Sequence, residues 1–185
     1  MTVTSLEALP AFERHLRAER GRSVHTVRAY LRDVETFLSE AGVGDDDGLR
    51  EVSLADLRAW LGVLSRRGAA RASIARTSAS LRTFFGWLER TGRISTDPSL
   101  RLTAPSRHRT LPPVLAQRSA TALLDVAEVA ADDDDPIHLR NRAALELLYA
   151  TGIRVGELVG LDVDDVDLAC DVLRVVGKGD KERRV

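Results

Sequence analysis

The chain has 185 residues, 44% hydrophobic and 30% charged, a composition of a folded globular protein rather than a disordered polymer. No apolar run reaches the roughly 18 residues of a helical membrane span, so no membrane partner is expected. The single Cys170 excludes an internal disulfide and no secretory leader is visible, which makes the cytoplasm the expected compartment.

Net charge is −1, but it is unevenly placed: residues 1–110 carry 18 Lys+Arg against 13 Asp+Glu, and residues 111–185 carry 9 against 15. Between Leu57 and Leu88 there is no acidic residue, while Arg58, Arg66, Arg67, Arg71, Arg76 and Arg82 all fall there. Such a stretch suits a polyanion, and it equally suits a solvated helical face.

Four amphipathic helices are predicted first, from apolar residues at the 3.6-residue period. The first covers about 4–20, with Leu6, Leu9, Phe12 and Leu16 on one face. The second follows Ser23, a candidate N-cap, and carries Val24, Val27, Leu31, Val34 and Leu38, widened by Tyr30 and Phe37. The third opens at Ser53, with Asp56 placed for a capping box, and stops at Gly68. The fourth covers about 71–91, points Ile74, Leu81, Phe84, Phe85 and Leu88 inward, and stops at Gly92. An all-α N-terminal part over 1–97 is therefore expected, followed by a basic, proline-punctuated linker over 98–115.

The remainder, 116–185, reads as the start of a mixed α+β domain. Helices are predicted at about 117–130 and 137–150, separated by the Asp132–Asp135 run, with Gly152 as a left-handed C-cap. A short helix from Arg154 to Gly160 follows. The period then changes: Val163, Val166 and Leu168, next Val172–Val176, and after a Gly177–Asp180 turn Lys181–Val185, form a β-hairpin within a three-stranded sheet. The fold class is mostly α overall.

No phosphate-binding glycine loop, serine-hydrolase elbow or zinc-protease motif occurs, and His15, His25, His108 and His138 lack metal-ligand spacing. No metal and no cofactor are expected. Arg154, just after a helix-ending glycine, could present its planar fork to a phosphate, or could be an ordinary surface arginine. The chain has 25 arginines and two lysines, Lys178 and Lys181, both in the hairpin. A lysine retained among arginines suits proton transfer, and a hydrated turn lysine is the alternative. On the fourth helix Ser73, Arg76, Thr77 and Ser80 make a polar row suited to a DNA groove, and Arg71 at the helix start is a further candidate for DNA contact. On the second, His25, Arg28 and Arg32 make an outward row. An Ala/Ser-rich helix packed against a neighbour would show the same residues on the fourth helix.

The segment Thr151-Gly152-Ile153-Arg154-Val155-Gly156-Glu157-Leu158 resembles the box around the first catalytic arginine of tyrosine recombinases. Val175-Val176-Gly177-Lys178-Gly179-Asp180-Lys181-Glu182-Arg183-Arg184-Val185 resembles the hairpin that carries their catalytic lysine, in matching order and spacing. The helical half, with Ser23, Thr26 and Tyr30, is similar to their SAM-like core-binding domain, and Leu111-Pro112 to the entry into their catalytic domain. The layout is most similar to the Xer type. The resemblance implies that Arg154 contacts the scissile phosphate, that Lys178 acts as general acid, and that Glu157 supports the site. It also implies metal-free strand cleavage through a 3′-phosphotyrosine, double-stranded DNA as partner, an oligomeric synapse, and a role in chromosome dimer resolution or DNA integration.

The family's later His-x-x-Arg pair, its further His or Trp, and its tyrosine have no counterpart here, since Tyr30 and Tyr149 lie in earlier helices. The chain by itself is therefore expected not to cleave DNA. One alternative is a catalytically inactive protein that occupies recombination sites or pairs with a full-length recombinase. Another is a helical protein-interaction module without a DNA role, which leaves the arginine and lysine boxes unexplained.

Overall fold

A computed structural model describes residues 6–103, 114–133, 135–177 and 181–185, in two units, Met1–Thr110 and Leu111–Val185. In the first, α1 (Ala8–Arg14) runs into one π-helical turn (His15–Glu19), followed by α2 (Val24–Glu40), α3 (Leu54–Arg66) and α4 (Arg71–Arg90). The start signals act as expected. The Ser23 hydroxyl accepts the Thr26 N–H. Asp56 accepts the Ser53 N–H at 2.9 Å while Ser53 accepts the Asp56 N–H, closing the capping box. The Ser53 hydroxyl, which donates to Asp56 Oδ2 at 2.7 Å, and then the Ser53 N–H hold the Asp56 carboxyl below its ordinary range. After α3 the chain turns at Gly68, whose φ of 76° disfavours a side chain.

The apolar stripes of all four helices meet in one core. Phe12, Phe37, Phe84, Phe85, Leu16, Leu38, Leu57, Leu81 and Leu88 are fully withdrawn from water. Phe84 sits edge-on to Phe12 and Phe85 at 5.0 and 5.3 Å between ring centres. The core does not end with α4. Ile94 and Leu102 belong to it, and Asp97 accepts both the N–H and the hydroxyl of buried Ser99. Leu102, within the span 98–115 expected as linker, buries its apolar surface against the helices. Of the linker's basic residues Arg101 lies within the helical unit, whereas Arg107, His108 and Arg109 lie outside the described residues.

In the second unit α5 (Gln117–Ala130) and α6 (Pro136–Thr151) precede the short α7 (Val155–Val159). Asp135 caps α6 by accepting the Ile137 N–H, and Pro136 occupies the first turn, where its missing donor costs nothing. Strands β1 (Val166–Asp167), β2 (Val172–Val176) and β3 (Glu182–Arg184) form an antiparallel sheet in that order. Val166 pairs with Leu173, and Val175 with Arg183. Val163 does not extend β1 as expected. It starts a 3-10 turn, because Asp162 accepts the Val163 N–H and Asp165 accepts the Asp162 N–H, a local arrangement that competes with strand pairing. Leu173 and Val175 alternate inward and pack with Ile153 into a small apolar cluster.

Candidate active site and nucleic-acid interface

Gly152 takes φ of 63° as the C-cap of α6. That left-handed step turns the chain so that Ile153 is buried and Arg154 opens α7 in an extended conformation. Arg154 is fixed at both ends of its length by one acid. Its backbone N–H donates to Glu157 Oε2 at 2.8 Å, and its Nη1 donates to Glu157 Oε1 at 2.9 Å. The Glu157 side chain is 4% exposed while that of Arg154 is 75% exposed. The result is a guanidinium held at its base and open to solvent.

A second arginine completes the cluster. Arg183 on β3 donates through Nη1 to Glu157 Oε1 and through Nη2 to Oε2, the latter at 2.9 Å. Its strand partner is Val175, one of the buried residues of β2, so Arg183 lies on the inward face of the hairpin. A charge on that face needs a counter-ion, and Glu157 supplies it. The Glu157 carboxyl is pulled down to about 2, first by the Arg183 hydrogen bonds and then by the Arg154 N–H, with burial opposing. The same bond raises the Arg183 guanidinium. Gly177 lies close above: a Cβ there would stand 3.3 Å from Glu157 Oε1. Its N–H donates to the Lys181 carbonyl at 2.8 Å, closing the base of the hairpin loop. Lys178, expected to act as general acid, lies outside the described residues.

Sequence reasoning singled out Arg154 and Glu157 but missed Arg183. The signal was available, because strand alternation from Leu173 and Val175 through the hairpin puts Arg183 inward.

On the helical unit His25, Arg28 and Arg32 are exposed on α2, and Arg71 is exposed at the start of α4. The expected polar row on α4 requires correction. Thr77 and Ser80 are buried, together with Ser78, and Ser73 is half-buried. Arg76 does not stand free either: its Nε and Nη2 donate to the two oxygens of Asp33, each at 3.0 Å. Ser80 Oγ donates to the same carboxylate at 2.9 Å. The reason is that α4 packs against α1, α2 and α3, so its short hydroxyls fill helix crossings instead of facing outward. The bond to Asp33 raises the Arg76 guanidinium. Asp33 itself was missed, although an acid between Tyr30 and Val34 on an apolar stripe calls for a partner.

Among the described residues no group of three or more His, Cys, Asp or Glu is arranged to hold a metal ion. Nor is any described helix long and apolar enough to cross a membrane.

A four-helix unit, then two helices, an arginine-headed short helix and an antiparallel hairpin define the phage integrase class. Residues 9–92 match the model for the phage integrase N-terminal SAM-like domain, and residues 113–185 match that of the phage integrase family. The chain belongs to the phage integrase, or tyrosine recombinase, family and is of the Xer type. It is 48% identical over 180 residues to the tyrosine recombinase XerC of Mycobacterium sp. (strain JLS), covering 96% of this chain and 59% of that one. For the tyrosine recombinase XerC of Mycobacterium tuberculosis (strain ATCC 25177 / H37Ra) the identity is 45%, with 96% and 59% covered. The chain thus spans 59% of the length of these curated relatives. The solved structure of a lambda integrase (75–356) dimer bound to a COC′ core site shares the fold, with a TM-score of 0.69 at 22% identity over 96% of this chain and 60% of that one. A lambda integrase tetramer bound to a Holliday junction gives 0.70 at 22%, covering 96% and 49%.

Proposed function

We propose that this protein serves site-specific recombination of duplex DNA, its helical unit binding the duplex and Arg154 holding the scissile phosphate. The observation that carries this reading is the cluster of Arg154, Glu157 and Arg183: two guanidiniums on one buried carboxylate, with the first left open to solvent. Phosphoryl transfer asks a protein mainly to place the phosphate and to stabilise charge on its equatorial oxygens, which an anchored, outward-facing guanidinium does. In the family reaction a tyrosine oxygen bonds to phosphorus, the bond to the 5′ oxygen breaks, and an acid protonates the departing oxygen. Lys178 would supply that proton, and no metal enters. Residue by residue the assignment extends to Arg154, Glu157 and Lys178. The attacking tyrosine has no counterpart in the matched boxes, since Tyr30 belongs to α2 and Tyr149 to α6. Solved relatives are dimers and tetramers on DNA, and an oligomer on a paired site is the arrangement proposed for this chain.

The exposed cations of α2 then contact phosphates. Duplex binding by the 185-residue protein, followed by fluorescence anisotropy across salt concentrations, tests this. Affinity should fall linearly on a log–log plot, with a slope of roughly −0.9 per phosphate neutralised. Arg28→Ala and Arg32→Ala should each flatten that slope by about 1. Binding that ignores salt, or no binding at low salt, would remove the DNA reading.

A further inference from the structure

The second arginine on Glu157 raises a question of geometry and of charge. A carboxylate facing one arginine normally takes its fork bidentately, pairing both oxygens with two N–H groups. Arg154 does not bind Glu157 that way. It spends one guanidinium nitrogen on Oε1, and its second bond to the acid comes from the backbone. The bidentate position belongs to Arg183, which spans both oxygens from the hairpin side. Among the described residues the remaining Arg154 guanidinium N–H groups have no partner. The charge follows the same division. One carboxylate and two guanidiniums leave a surplus of one positive charge, and the most exposed member of the trio is Arg154, at 75% against 38% for Arg183.

We propose that Arg183 is the positioning residue of Arg154: by occupying Glu157 bidentately from β3, it keeps the Arg154 fork outward and leaves it a net positive charge for a phosphate. This rests on the reading of Arg154 as a phosphate ligand. Without Arg183, both oxygens of Glu157 would be open to Arg154. That pair would close on itself, neutral and with a second guanidinium donor spent on the acid. The hairpin meets Glu157 through Arg183, which is hydrogen-bonded to it, and through Gly177, where an added Cβ would stand 3.3 Å from Oε1.

The test uses inorganic phosphate as probe and the 185-residue protein, with the Arg154 Nε–H followed by nitrogen-15 NMR and the Glu157 carboxyl by its carbon-13 titration. Phosphate should shift the Arg154 signal saturably. Arg183→Gln should weaken that binding about tenfold, as expected for loss of charge-assisted bonding, and raise the Glu157 midpoint. Arg183→Lys, which restores charge without the fork, should recover part of the affinity. Equal phosphate affinity in Arg183→Gln and the parent, with the Glu157 midpoint raised, would overturn the proposal and leave Arg183 as a brace for the hairpin. A parent protein whose Arg154 ignores phosphate would instead remove the phosphate reading. The order of the Arg154 Nε–H then decides the positioning role: disorder in Arg183→Gln supports it and unchanged order overturns it. Should Arg183→Gln unfold the hairpin, seen as lost exchange protection at the Gly177 N–H, Arg183→Lys decides alone: weaker phosphate binding supports the proposal and unchanged binding overturns it.

Discussion

In the helical unit Phe84 touches Phe12, Phe85 and Trp87, and every helix contributes side chains to one core. In the second unit Val175 shares its cluster with Ile153 and Leu173, and neither α5 nor α6 buries a residue. Yet both units use the same ionic device, a buried carboxylate that accepts a bidentate arginine. Asp33 takes Arg76 and a hydroxyl, and joins α2 to α4. Glu157 takes Arg183 and, in addition, Arg154. With one arginine the charges cancel and the pair is structural. With two arginines a cation is left over, and it is this surplus that the proposed phosphate contact would use. The comparison separates a unit held by volume from one held by directed polar bonds.

The largest expected effect is on volume. Phe84→Ala should cost the helical unit about 4 kcal/mol in urea unfolding, whereas Val175→Ala should cost the second unit about 2 kcal/mol. Equal costs would erase the contrast. Arg76→Ala, which leaves buried Asp33 with Ser80 alone, should also cost about 2 kcal/mol, below the usual range for a fully buried pair because the arginine is partly solvated. Ser53→Ala removes both hydroxyl bonds of the α3 cap, to the Asp56 N–H and carboxylate, and should cost about 1 kcal/mol.

The second unit can also be probed with protons. The Glu157 carboxyl lies at about 2 in the fold against an ordinary 4.5, so its bonds stabilise the folded form fully above the higher value. That contribution declines as pH falls from about 4.5 towards 2. Acid titration of hairpin amide protection should show a loss in this window that Glu157→Gln lacks. A loss of the same size in Glu157→Gln would show that other carboxylates govern it.

Helix boundaries were largely legible in the sequence because their signals are local. Ser23, Ser53, Asp56, Gly68 and Gly152 each act within a few residues of where they stand. The arginine box was legible for the same reason, since Arg154 and Glu157 are three residues apart. What was missed is long-range. Arg183 meets Glu157 only once the hairpin register is set, and Asp33 meets Arg76 only once α2 and α4 cross. Helical spacing placed Ser73, Arg76, Thr77 and Ser80 on one face correctly, but it does not say whether that face meets water or a neighbouring helix. The answer depended on α4 being covered by α1, α2 and α3.

The Asp33 triad has a consequence for how this sequence can drift over generations. Its members lie 43 and 47 residues apart, yet no single replacement at position 33 or 76 is neutral. Loss of Arg76 leaves the buried Asp33 carboxylate without its counter-ion, and loss of Asp33 leaves the buried Ser80 hydroxyl and a half-exposed arginine without their shared acceptor. Change at one position therefore favours a compensating change at the other, and an apolar pair that fills the same space is the least costly destination. Among descendants the two positions should vary together, whereas Arg28 and Arg32, exposed on the same helix, are free to vary one at a time as far as folding is concerned.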